Sequence, residues 1–238
     1  MLEDCHPGYH WHQMFSEPAD FGFAGTARRR TWCIGQHEER STCLQDPFEL
    51  LDSITSFFYD KCQCEVRDYL VATDPEVNLE LMDMATSMGL SNFVPGRDNN
   101  AILLSTREAQ TKSDLDAKYF QKMGEPSYRN PNLVYGLGDS AAFCSWSASS
   151  GKVPTFRLST SSAKYWLPAY SRWMTSKERL VAMGFPVVQS MAQALQVPLV
   201  GASDRKRAAD LIKVIGNSMH LQTCGVFQLL ALACYGPQ

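Results

Sequence analysis

Three consecutive arginines, Arg28, Arg29 and Arg30, stand in the stretch TARRRTWCIG, directly before an apolar run that ends at Gly35. In an extended strand side chains alternate, so Arg28 and Arg30 point to one side and Arg29 to the other. Two guanidiniums then converge on one locus. Such neighbours repel, which solvent tolerates at a strand end and which an anion or an array of acceptors placed opposite turns to advantage. Spacing alone leaves both readings open. Cys5, His6, His10 and His12 carry zinc-ligand chemistry, but no CxxC pair accompanies them and the CQC at 62–64 has the wrong spacing, so no metal ligand is assigned. The glycines of FGFAG and YGLGDS echo nucleotide-binding loops, yet neither lies between a strand and a helix pattern, and both read as turns.

The elements that must position these residues are partly legible. YHWHQMF sets Tyr9, Trp11, Gln13 and Phe15 on one strand face and His10, His12 and Met14 on the other, and EPADFG breaks the chain before the arginines, which predicts a hairpin. DPFELLDSITSFFYD spaces Phe48, Leu51, Ile54 and Phe58 as the buried face of a helix. TDPEVNLELMDMATSMG predicts a helix with Asp74 as N-cap, Pro75 at its first position and Gly89 just past its end. SDLDAKYFQKMG predicts a shorter helix closing at Gly124, while 91–111 and 124–162 read as loops with short strands, the best being AILLS at 101–105. In RWMTSKERLVAMGFP, Thr175 and Glu178 fit a capping box, Leu180 and Met183 point inward, and Gly184 with Pro186 stops the helix. SDRKRAADLIKVIGNS predicts a helix from Ser203 that breaks at Gly216.

With 238 residues, 45% of them apolar and 11% aromatic, the chain suffices for one large or two small packed domains and is not disordered. Its 22 basic and 25 acidic residues give a net charge of −3, so no overall basic field draws it to nucleic acid, and any such contact must come from a local patch. Eight cysteines are too sparse for a disulfide scaffold, and no amino-terminal stretch combines a basic start with an apolar signal core, so reduced thiols inside a cell are expected. GVFQLLALACY, 225–235, contains Gln228 and is about half the length needed to cross a bilayer, so it reads as a buried carboxy-terminal helix, and no membrane is expected as a partner.

Taken together, these pieces resemble the carboxy-terminal part of a cytosine-5 DNA methyltransferase. GYHWHQMFSEPADFGFAGTARRRTWCIG, 8–35, follows the family's order of a Gly-Tyr strand, an Asp-Phe-Gly turn and a Gln-x-Arg-x-Arg element running into an apolar strand. MTSKERLVAMGFP, 174–186, resembles its LTxREaaRLQGFP element, and GNSM, 216–219, its final Gly-Asn-Ser-Val. These are its motifs VIII, IX and X. VPTFRLSTSSAKYWLP resembles the Thr-rich stretch that closes its target-recognition region. The resemblance covers 8–35 and 153–235, whereas 45–150 matches by position only.

The resemblance implies an α/β fold: a partial S-adenosylmethionine-dependent methyltransferase domain with a small target-recognition-like insert. It assigns 1–44 to catalytic-domain strands with the Arg-x-Arg element, 45–170 to the target-recognition-like region and 171–238 to the closing helices. It sets Arg28 and Arg30 at the rim of the pocket for a flipped cytosine, with Arg30 on the base, and Asn217 and Ser218 near the methyl donor, S-adenosylmethionine. Thr26 stands where the family has its glutamine. The Pro-Cys nucleophile, Glu-Asn-Val and the donor-binding Gly-rich loop, motifs IV, VI and I, do not occur in the sequence. Met1 is therefore expected to begin inside a methyltransferase domain, and the chain alone is expected to be inactive, working on DNA or RNA only with an amino-terminal half that supplies the donor site. The implied location is intracellular, nuclear in a eukaryote. The alternative is a non-catalytic nucleic-acid-binding module or pseudoenzyme.

Overall fold

The computed structural model describes residues 2–159, 163–199, 210 and 213–238. After a short helix α1 (Leu2–Cys5), β1 (Tyr9–Ser16) and β2 (Arg30–His37) pair antiparallel from Tyr9↔His37 to Ser16↔Arg30, the hairpin that the alternation predicts. Met14 is buried and its neighbour Phe15 is 65% exposed, so the faces divide as a strand period of two requires. The connection is no tight turn. Residues 17–29 cross the molecule, and Gly25 passes so close to the next segment that a Cβ there would sit 2.6 Å from Val66 N. Close approach, not phosphate binding, is what the glycines of FGFAG serve here: Gly25 N donates to Cys64 O and Cys64 N to Gly22 O.

A short β3 (Ser41–Cys43) leads into α2 (Pro47–Lys61), capped by Asp46, whose carboxylate accepts from Phe48 N and Glu49 N. Its inward face is narrower than expected: Leu51 is buried and Ile54 and Phe58 are partly so, but Phe48 is 45% exposed, because it lies in the first turn, beyond the partners that cover the helix middle. Helix α3 (Asp74–Ser87) is capped by Thr73, one residue earlier than predicted, where Glu76 Oε2 accepts from Thr73 N. Asp74 is already helical. The strand expected at 101–105 is instead a 3-10 turn, Asn100–Leu103. Ser105 caps α4 (Thr106–Met123) immediately afterwards, in a capping box with Glu108, so the chain is committed to helix before a strand has room to form. Helix α4 therefore starts seven residues earlier than its apolar spacing suggested, and ends at Gly124 (φ 74°) as expected.

Strands β4 (Tyr135–Gly136), β5 (Tyr165–Leu167) and β6 (Arg172–Trp173) form an antiparallel sheet in that order. Helix α5 (Ser176–Ala182) follows, with the predicted Thr175–Glu178 box, both Leu180 and Met183 buried, and Gly184 (φ 78°) beyond its end. Helix α6 (Gln189–Leu195) and a helical turn over 213–217 precede α7 (Leu221–Cys234) and β7 (Tyr235–Pro237), which pairs with β3. The turn runs past Gly216, and the helix start predicted at Ser203 lies outside the described residues. Helix α7 is buried on one side only: Phe227 and Leu230 are covered, whereas Leu229 and Leu232 are 66% and 76% exposed, because the hairpin and α2 pack on a single face.

Three cores result. The first joins Val66, Tyr69 and Val153 to Leu180, Met183 and Ile215; the second joins α3 and α4 to Trp166 and Trp173; the third joins Met14, Ile34 and Leu51 to Phe227 and Leu230. Strand β5 belongs to two of them, since Tyr165 and Leu167 face the first and Trp166 the second. The architecture is mixed α and β; among the described residues the named strands pair antiparallel, and a single parallel bridge joins Thr26 to Val153.

Candidate functional site

Arg28 lies just before β2 and is 4% exposed, while Arg29 is exposed and Arg30 half-buried. The inward turn of Arg28 and the outward turn of Arg29 follow the alternation, although the paired strand begins only at Arg30. Arg28 Nη2 donates to Gly216 O at 3.3 Å and also to Ser218 O, so a residue of the amino-terminal segment clasps the GNSM turn. Gly216 is obligatory there for a second reason: a Cβ would lie 2.5 Å from Leu158 N. Asn217 is exposed on this turn, and the Ser218 hydroxyl donates to Ile215 O at 3.1 Å. The structure thus brings Arg28 together with Asn217 and Ser218, while Arg30 folds back, its Nη1 donating to Arg29 O at 2.7 Å.

No carboxylate pairs with Arg28 among the described residues, and its Nε and Nη1 are buried without an acceptor. A buried donor left unmade costs about 1–3 kcal/mol, so this arrangement is maintained at a loss. Burial first, and then the charge of Arg30, pull its pKa down from the usual guanidinium range to about 10, against a smaller opposing effect of Tyr165. Arg28 in turn acts on His220, the N-cap of α7, whose pKa burial first and then Arg28 lower from 6.5 to about 3. His220 is neutral in the fold, its Nδ1 accepting from Thr223 N and its ring edge-on to Phe23 at 4.5 Å.

The surrounding backbone is tied down. Thr26 Oγ1 donates to Ala182 O at 2.9 Å, Ala27 N to Val153 O at 3.1 Å and Val153 N to Gly25 O at 2.7 Å. Leu221 N donates to Met183 O and Gln222 Nε2 to Gly184 O, which joins the GFP end of α5 to the start of α7. Beside this junction opens a cleft of about 410 Å³, whose lining includes Arg28, Arg29, Tyr165, Phe143, Cys144 and Trp146. Its carboxylates are engaged: Asp139 pairs with Arg157, and Glu17 with Lys152 at 2.8 Å. The Tyr165 hydroxyl donates to Thr155 O and accepts from Arg157 N, both at 3.1 Å. Burial raises the Cys144 thiol above its usual range, so it is no ready nucleophile.

Sequence reading missed Tyr165, Phe143 and Trp146. The last two carried a signal, being large aromatics in the otherwise small and polar SAAFCSWSASS. The amino-terminal histidines serve aromatic contacts: His10 and His12 meet edge-on at 4.6 Å and His12 lies near Tyr235 and Phe48, and among the described residues no group of three potential ligands is gathered for a metal. All eight cysteines are unpaired. Among the described residues no helix is long and apolar enough to cross a membrane. No protein-family model matches the chain, and no curated protein matches it.

Proposed function

We propose that the chain is the carboxy-terminal portion of a DNA (cytosine-5) methyltransferase, contributing recognition of the target base and the surrounding nucleic acid to methyl transfer from S-adenosylmethionine to cytosine C5. One observation carries this reading. The four stretches that bear the resemblance lie up to 190 residues apart and meet around Arg28: 8–35 touches 174–186 through Thr26 and Ala182, 216–219 through Arg28, and the stretch from Val153 through the bridge at Thr26. Unrelated motifs scattered along a chain have no physical reason to share a junction. In this reading Arg30 reaches the base from the start of β2, Arg28 holds the GNSM turn beneath it, and residues of 45–170 meet the groove of DNA or RNA. Asn217 leaves one amide open and Ser218 one hydroxyl that already donates, so the two do not fit a donor site by themselves, and S-adenosylmethionine enters only with an amino-terminal half.

A duplex with one mispaired, loosely stacked cytosine, compared with its fully paired counterpart by fluorescence anisotropy, tests the reading. The mispaired duplex is expected to bind more tightly. Arg30→Ala removes most of that preference, and Arg29→Ala weakens both duplexes alike and lowers the salt dependence by one phosphate contact. A wild-type chain without preference, or equal and salt-sensitive losses at both positions, overturns it. A non-catalytic binding module is the second reading, favoured by the pairing of β3 with β7, which closes the third core within this chain.

A further inference from the structure

The cleft beside Arg28 combines three features that the base-recognition reading does not use. Arg28, which is buried, and Arg29, an exposed cation, both line it. Its lining also includes two aromatic rings held out in water, Phe143 at 85% and Trp146 at 49% exposure. Neither is loose: Phe143 N and Cys144 N both donate to Ser140 O, and Trp146 lies in the 3-10 turn Ser145–Ala148, where Ser147 Oγ donates to Cys144 O at 2.6 Å. Helix α4 adds cations at the edge of this turn, with Arg107 donating to Leu137 O and Gly138 O and Lys118 to Ala141 O. No carboxylate pairs with Arg29, Arg107 or Lys118 among the described residues.

Exposed aromatic rings are unfavourable in water, and the exposed Arg29 side chain has no ion-pair partner among the described residues, so neither feature stabilises the fold. Together they match a ligand that alternates flat apolar faces with negative charge at short intervals. We infer that this cleft binds single-stranded nucleic acid, with a phosphate on Arg29 and an unpaired base stacked on Trp146 and Phe143. Duplex DNA fits the cleft poorly, since its bases are already stacked on each other and offer no face. An acidic peptide supplies charge without the flat faces, and leaves the aromatic wall without a role. The inference rests on the nucleic-acid part of the proposed function and is independent of methyl transfer.

The test is anisotropy of a fluorescein-labelled eight-nucleotide oligothymidylate, which contains no cytosine, titrated with the intact chain from 50 to 200 mM salt. Binding is expected to weaken with salt, with a slope of about −0.7 per phosphate neutralised. Trp146→Ala is expected to weaken it on the order of tenfold, and Trp146→Phe to restore most of the loss, because stacking needs a ring and not an indole. Arg29→Ala is expected to lower both affinity and slope. Near-ultraviolet circular dichroism reports whether each variant is folded; should Trp146→Ala perturb the fold, Phe143→Ala, at the more exposed ring, replaces it. The inference is overturned if oligothymidylate does not bind at 50 mM salt, if both ring substitutions leave affinity unchanged, or if a polyglutamate peptide binds as tightly. Free thymidine monophosphate competing as well as the strand also overturns it, in favour of a small-molecule nucleotide site. Loss of oligothymidylate binding with cytosine preference intact removes the cleft alone. The converse removes the base pocket alone.

Discussion

A buried histidine next to a buried arginine sets the pH behaviour of the site. Above pH 6.5 the His220 ring is neutral in the folded and unfolded chain alike; as pH falls towards about 3 the unfolded chain takes up a proton that the fold refuses, so stability drops across that window. Between pH 7.5 and pH 5 the loss from this group is about 2 kcal/mol. Urea unfolding at the two pH values measures it, and His220→Asn, which keeps an N-cap acceptor without a titrating ring, is expected to recover most of the difference. An unchanged pH dependence in that variant assigns the acid sensitivity elsewhere. That Arg28 and Arg29 face opposite ways was legible from alternation, whereas the convergence of Arg30 with Arg28 was not realised, because Arg30 folds back onto Arg29 O. The partners of Arg28 were not legible, because Gly216 and Ser218 approach it across 188 and 190 positions, a distance over which no local pattern carries information.

Among the elements, the short helix α5 depends on one ion pair. Glu178 is fully buried, closes the capping box with Thr175 N at 2.8 Å, and receives both Arg172 nitrogens, at 2.8 and 2.7 Å. Arg172→Ala strands that carboxylate without its cation and is expected to cost about 3–5 kcal/mol in urea unfolding. A loss under 1 kcal/mol would mean that water or a neighbouring group replaces the guanidinium. The capping box itself was readable, since the Thr-x-x-Glu spacing acts within one turn. The pair with Arg172 was not. Local rules also misplaced the start of α4, where AILLS has strand composition but its last residue, Ser105, is the helix cap, and a cap outweighs the propensity of the four residues before it.

At the scale of the whole molecule, two cores share β5 and the third gathers both ends of the described chain. The outer face of α7 remains uncovered, with Leu221, Leu229 and Leu232 exposed in a row at helical spacing. Leu229→Lys with Leu232→Lys is expected to leave thermal stability nearly unchanged and to reduce concentration-dependent light scattering, whereas Leu230→Ala, on the buried side, costs about 2–5 kcal/mol. Equal scattering by wild type and double variant would show that this face does not drive association. The pure chain incubated with labelled S-adenosylmethionine and duplex DNA is expected to give background counts, for want of the Pro-Cys nucleophile. Reproducible incorporation into cytosine would defeat the proposed division of labour between this chain and an amino-terminal half.

Sequence by itself determined what acts within a turn or along a strand: the hairpin and its two faces, the Thr175 cap, and the helix ends at Gly124 and Gly184. These follow from backbone geometry, capping and a period of two or 3.6, all of which operate over a few residues. Tertiary structure alone decided that α7 hides one face and not the other, that β5 divides two cores, and that Phe143 and Trp146 line one cleft with Arg28 and Arg29. Burial, the loss of an ion-pair partner and the depressed pKa of His220 arise from which distant surfaces meet, and packing sets that only once every element has found its neighbour.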